Sequence, residues 1–246
     1  MTRLIRSELR KLTTTKMPLA FLAVLAVLAG LNAFAVFAGT DMDDSKAFIS
    51  SEADQRSLMA FAANALAIAG LFGAIAAARE YGYHTIVSTF LASPRRHRAV
   101  FAQLSAIALC GGILGLVGAG LTVAAVALSL PTTDYGFLVS ANNMSQVLAA
   151  SAFAGAAGAV LGAGIGSLVR NVGGAVTGTV LALFIAPPLV VQLASDTAPW
   201  MPSVLANVLS GVGDDVSRPA AIVAIAAWAL VPAIAGLIAV ERRDVV

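Results

Sequence analysis

The chain has 246 residues, of which 59% are hydrophobic and 11% charged, and its mean hydropathy is +0.89. Soluble domains carry about 25% charged side chains, so composition excludes an ordinary soluble domain and leaves an all-α polytopic membrane protein. The net charge of +2 and pI near 9.0 would suit nucleic acid, but the charges fall between apolar runs instead, and the single cysteine, Cys110, leaves no intrachain disulfide.

Met1 to Lys16 carries Arg3, Arg6, Arg10, Lys11 and Lys16 against one acid, Glu8. Ile5, Leu9 and Leu12 share a face, so the spacing predicts an amphipathic basic helix at the inner leaflet; a solvated basic tail that only sets orientation is the other reading. The uncharged run from Met17 to Ala38 exceeds the core of a secretory leader, although Ala33-Phe34-Ala35 resembles a cleavage site, and it reads as a first span over 17–38. An acidic connection, Asp41 to Arg56, leads to a second span over 57–78.

Arg79 to Gln103 forms the longest polar interruption on the basic side. Ile86, Val87, Phe90 and Leu91 recur at helical spacing opposite His84, Thr85, Ser88 and Thr89, which predicts a short amphipathic helix over Tyr81 to Ala92, below the ~20 residues a crossing needs. Ser93-Pro94 ends it. Arg95, Arg96, His97 and Arg98 then hold the start of the third span, 100–130, on the cytoplasmic side. That run is longer than one crossing and is expected to tilt or extend beyond the bilayer.

The fourth span, 144–169, repeats a small residue every fourth position at Ala150, Ala154, Gly158, Gly162 and Gly166. Such a ridge lets another helix backbone approach closely, whether within the chain or between two copies. Arg170-Asn171 makes a turn into the fifth span, 172–188, which the Pro187-Pro188 pair is expected to end or kink. Leu189 to Val212 is apolar but broken by Asp196, Pro199, Pro202 and Asn207, and reads as two short half-inserted helices with Trp200 at headgroup depth. The sixth span is 219–240.

With both termini inside, 12 Lys and Arg fall inside and 3 outside, while 4 acids fall inside and 9 outside. That layout obeys the positive-inside rule, and moving it by one span inverts it.

These residues resemble the membrane (permease) subunit of an ABC-type transporter of the type-two exporter class. The likeness rests on the opening LIRSELRKL and on Glu80, Gly82, Thr85, Pro94 and Arg96, similar to that family's acidic residue, Gly and Thr, amphipathic turn and Pro-x-Arg. It implies an interfacial helix carrying Arg3, Arg6, Arg10 and Lys11, and a coupling element pressed into an ATPase subunit through Glu80, Gly82, Thr85, Ile86, Phe90, Pro94, Arg95, Arg96 and Arg98. It also implies a re-entrant hairpin between spans five and six. The expected assembly is two permease chains, identical or not, over two ATPase subunits in a bacterial plasma membrane, exporting a drug, peptide or lipid. A non-transporting scaffold or sensor subunit is the alternative.

The residues point to no catalysis in this chain. Its lysines, Lys11, Lys16 and Lys46, follow no glycine-rich phosphate loop, so ATP and Mg are expected on the partner. His84 and His97 form no metal motif. No assigned span carries a charge near its middle, which argues against an ion relay. The milder polar residues Asn32, Asn64 and Gln103 either line a substrate path or hydrogen-bond between helices, and no nucleic-acid partner is expected.

Overall fold

A computed structural model describes residues 2–39, 49–60, 65–83, 96–132 and 136–242. The described residues are helices joined by short turns: α1 (Thr2–Thr13), α2 (Met17–Gly39), α3 (Glu52–Ala60), α4 (Ala65–Gly82), α5 (Arg96–Ser129), α6 (Ala141–Val169), α7 (Val172–Val180), a π-helical segment (Leu181–Ile185), α8 (Ala186–Leu193), a 3₁₀ segment (Ser195–Trp200), α9 (Pro202–Leu209) and α10 (Arg218–Arg242). Among the described residues, six stretches are long and apolar enough to cross a bilayer: Met17–Val36, Glu52–Gly82, His97–Ser129, Ala141–Val169, Val172–Leu193 and Arg218–Arg242. These are the features of a multi-pass membrane protein.

Lipid tails are as apolar as leucine, so helices in a membrane associate through close packing rather than hydrophobic burial. The sequence meets this requirement on α6, which packs against α4, α5 and α10. A Cβ on Gly158 or Gly162 would collide with the carbonyls of Leu66 or Gly70 on α4, and one on Gly166 would lie 2.6 Å from that of Ala74. The small-residue ridge is therefore a seam within one chain. Two residues on from Gly162, about 200° around the helix, Gly164 meets Pro232 and Ala233 of α10, where a Cβ would lie 2.6 Å from the Pro232 carbonyl. At the middle of α6, Gly155 stands against Gly111 and Gly115 of α5, and a Cβ there would lie 3.0 Å from the Gly115 Cα. Glycine thus brings α6 into backbone contact with three neighbours.

At the periphery, α2 is apolar on all sides and only 17% of its span is buried, against 71% for the span containing α4. It leans on α5 through Leu25, which a Cβ on Gly118 would approach to 3.0 Å. The 34 residues of α5 extend about 51 Å at 1.5 Å per residue, well past a ~30 Å hydrocarbon core.

Local signals set the helix ends. Ser51 and Asp54 cap α3 reciprocally, the Asp54 N–H reaching Ser51 Oγ at 3.1 Å and the Ser51 N–H reaching Asp54 Oδ2 at 3.1 Å. Ser140 Oγ accepts from the Asn143 N–H to start α6. Arg170 closes that helix in the left-handed region at φ 57°, its N–H bonded to Gly166 O at 2.9 Å. Asn171 then starts α7 by accepting from the Gly174 N–H at 3.1 Å.

Two expected boundaries move. The polar connection after the second span begins later than Arg79, because Arg79 to Gly82 complete α4, and Arg96 to Arg98 already belong to α5. The fifth span does not stop at residue 188 but runs as helix to Leu193. Pro187 and Pro188 have no N–H to donate, and the chain widens by one residue per turn just before them, with the Ala186 N–H reaching back to Leu181 O. The prolines then occupy the first turn of α8, where donors are unneeded. The chain beyond divides into a 3₁₀ segment and α9, which packs on α10.

Candidate functional site

One end of the bundle collects α1, the C-terminal ends of α4, α6 and α10, and the start of α5. Charge on the polar face of α1 and apolar residues on the other give that helix two sides; the second docks on the bundle, where Leu12 joins the clusters of α4 and α5. Docking carries Glu8 inside, to 5% exposure. Lys11, one turn on, reaches Glu8 Oε1 at 2.7 Å and Glu80 Oε1, at the end of α4, at 3.5 Å. Burial draws the Lys11 pKa downward, but the hydrogen bond it donates to Glu8 and the charges of Glu80 and Glu8 outweigh it and hold the ammonium above the ordinary lysine value of 10.5. The ion pairs join α1 to α4 directly before residues 84–95. Arg79 adds a second tie, Nη1 lying 3.8 Å from Met17 Sδ.

Beside this clamp, the Arg170 guanidinium sits over the Tyr81 ring, 5.2 Å from its centroid, and donates to Ala239 O at 3.2 Å. Tyr81 also packs with Val100 and Val240, which gathers α4, α5, α6 and α10 at one level.

Of the residues expected in the coupling element, Glu80 is held in the clamp, Gly82 is exposed with open space around its Cα, and Arg98 is exposed in the first turn of α5. Arg96 is the first residue of α5. Thr85, Ile86, Phe90, Pro94 and Arg95 lie outside the described residues, as does most of the amphipathic helix expected over Tyr81 to Ala92. Arg3, Arg6 and Arg10 are exposed along one side of α1.

Of the polar residues expected on a path, Asn32 and Gln103 are described. Asn32 donates to Leu28 O of its own helix at 2.9 Å, and Asn64 lies outside the described residues. Gln103 is buried, and its Nε2 finds no partner among the described residues. Thr122 and Thr179 likewise turn back to Gly118 O and Ala175 O, four residues earlier. Such i−4 bonding satisfies a hydroxyl without a second helix.

The opposite end is organised by α3, which the sequence did not single out. Gln55 is fully buried; its Nε2 donates to Gly136 O at 2.9 Å and Ile49 O at 3.2 Å, and its Oε1 accepts from the Leu138 N–H at 2.9 Å. Arg56 donates through Nε to Ser210 O at 2.8 Å and through Nη2 to Gln146 Oε1, while Gln146 Nε2 donates to Leu209 O at 3.2 Å. Glu52 accepts from Asn143 Nδ2 at 2.7 Å and the Ser140 N–H at 3.0 Å. One nine-residue helix thereby ties down the segment before α6, the start of α6 and the end of α9. The available signal was Gln55-Arg56 beside each other at the mouth of a span, with Gln146 in the first turns of another.

Between the fifth span and α10 lies a side-open apolar groove of about 590 Å³, floored by Leu161, Ile165 and Leu168 of α6. Trp228 Nε1 donates to Trp200 O at 3.1 Å at its wall. Among the described residues no three His, Cys, Asp or Glu side chains converge as a metal site would need. No family model and no curated protein matches the chain.

Proposed function

We propose that the chain is the permease subunit of an ATP-driven ABC-type exporter in a bacterial plasma membrane, with both termini cytoplasmic, energised by two copies of a separate ATPase subunit and paired with a second permease chain. The observation that carries this reading is the Glu8–Lys11–Glu80 clamp. Residues 84–95, read as the coupling element, begin four residues past Glu80, so a push on them meets a helix end already fastened to α1 and continuous with the tightly packed α4–α6 pair. On this reading α1 lies along the inner leaflet, and the 3₁₀ segment and α9 form the re-entrant outer hairpin. The Trp-lined groove suits a hydrophobic or amphiphilic cargo.

Affinity purification of the chain from its native membrane tests the proposal. It is expected to bring down an ATP-binding-cassette subunit, and reversing the charges at Arg95, Arg96 and Arg98 is expected to abolish ATP-dependent export while leaving the chain inserted. A purified chain that brings down no ATPase, with export unaffected by the reversal, favours the scaffold or sensor reading. Labelling a cysteine at Ser93 with an impermeant reagent in intact cells overturns the layout if it succeeds.

A further inference from the structure

The basic residues of α1 divide into two sets. Lys11 turns toward Glu8 and Glu80. Arg3, Arg6 and Arg10, spaced three and four apart, form an exposed stripe on the side away from Glu8, and none of them has an ion-pair partner among the described residues. Ser7 and Thr14 share that side, and these residues, together with Lys11, line a shallow cleft of about 400 Å³. Because the apolar face of α1 is taken up by the bundle, the stripe faces away from the protein. Thr14 lies three residues before α2, the least buried span and so the one most surrounded by lipid, which sets the stripe at the depth where the headgroups of those lipids begin.

We infer that the Arg3–Arg6–Arg10 stripe is a binding site for the phosphate of an anionic phospholipid, with Ser7 and Thr14 on the same cleft. Guanidinium groups donate paired hydrogen bonds to phosphate oxygens, and a basic residue near an anionic surface favours binding about fivefold. Three arginines together give roughly a hundredfold preference for an anionic over a zwitterionic lipid at low salt, weakening as salt screens it. The site rests on the interfacial placement of α1 and not on the exporter reading.

The test uses the full chain in nanodiscs of phosphatidylcholine with and without phosphatidylglycerol, with retained lipid counted by native mass spectrometry after release. The wild type is expected to retain phosphatidylglycerol selectively, with selectivity falling as salt rises. R3Q/R6Q/R10Q is expected to lose it, and K16Q, which removes an exposed basic residue outside the cleft, to keep it. Equal retention of the two lipids by the wild type, a preference insensitive to salt, or a triple variant as selective as the wild type overturns the site; the salt series needs no variant to fold. A fluorophore on a cysteine at Ser7, in a C110A background, separates the two failures. If lipid-borne quencher does not reach it, the interfacial placement fails; if quenching occurs without selectivity, only the lipid site fails.

Discussion

Gly162 of α6 stands directly against the carbonyl of Gly70 on α4, so near that a methyl on Gly162 has nowhere to go. A Cβ on Gly70 would itself lie 2.9 Å from Leu183 Cδ1 and 3.4 Å from Gly158 O. Backbone, unlike a flexible side chain, does not yield cheaply to such a contact.

Gly162→Ala is therefore expected to destabilise the bundle by about 1–3 kcal/mol, the usual cost of overpacking, read as a lower melting point in detergent. Gly120, on α5, has open space where its Cβ would be. Gly120→Ala is expected to leave stability unchanged or raise it by up to about 1 kcal/mol through helix propensity. Equal effects at the two positions would refute the seam.

Gln55, fully buried, and Arg56, partly buried, hold the α3 end through hydrogen bonds to backbone carbonyls. Gln55→Leu is expected to cost about 1–3 kcal/mol for the groups it strands. Arg56→Lys, which keeps the charge but not the two-sided geometry, is expected to cost about 1–2 kcal/mol. Gly211, at φ +78°, lies against the Arg56 guanidinium, so a Cβ would sit 2.9 Å from Nη1 in a backbone region that side chains avoid. Gly211→Ala should then be less damaging in an Arg56→Ala background, and a double-mutant cycle measures the difference.

Lys11→Met is expected to loosen α1, because Glu8 is left buried without its cation. Proteolysis at Arg3, Arg6 or Arg10 should accelerate, and a second change, Glu8→Gln, should restore much of the protection. Sign follows from the raised pKa: the stabilisation is complete below the unfolded lysine value of 10.5 and disappears as pH climbs through the higher folded value. Through Lys11, docking of α1 should hold at neutral pH and weaken in strong alkali.

Trp200 and Trp228 are the chain's two tryptophans, and both line the groove beside α10. Because the groove opens sideways, their emission is expected to be quenched by lipids labelled within the acyl region and little by aqueous iodide. Trp228→Phe removes the donor to Trp200 O and should shift the remaining emission. Strong iodide quenching would contradict a lipid-facing groove.

The glycine ridge was legible in the sequence because Gly158, Gly162 and Gly166 repeat at the period of a helix face. What the ridge packs against was not, since nothing local to α6 names Gly70 or Ala74. The six apolar runs announced themselves by length, but their ends did not: Arg79 and Glu80 are charged yet still helical, because charges at the last turn of a span do not terminate it. At Pro187-Pro188 the sequence rule for a break was met by a one-residue widening instead, which no composition signal marks. The work of Gln55 depends on partners more than eighty residues away, at Gly136 and Leu138. A lone glutamine carries no periodicity, so only the fold reveals it. The clamp lay half visible: Glu80 was singled out by position, whereas Glu8 looked like one acid in a basic tail until docking buried it.

Because α6 touches α4, α5 and α10 with bare main chain at its glycines, those helices lock together at these levels. A twist of α6 by even one residue would drive methyls into carbonyls on opposite flanks at once, so this quartet travels as a single rigid body. The least enclosed spans are α2 and the proline-bearing fifth crossing, 17% and 22% buried. Whatever force reaches the molecule meets the least packing at these two and an interlocked centre between them.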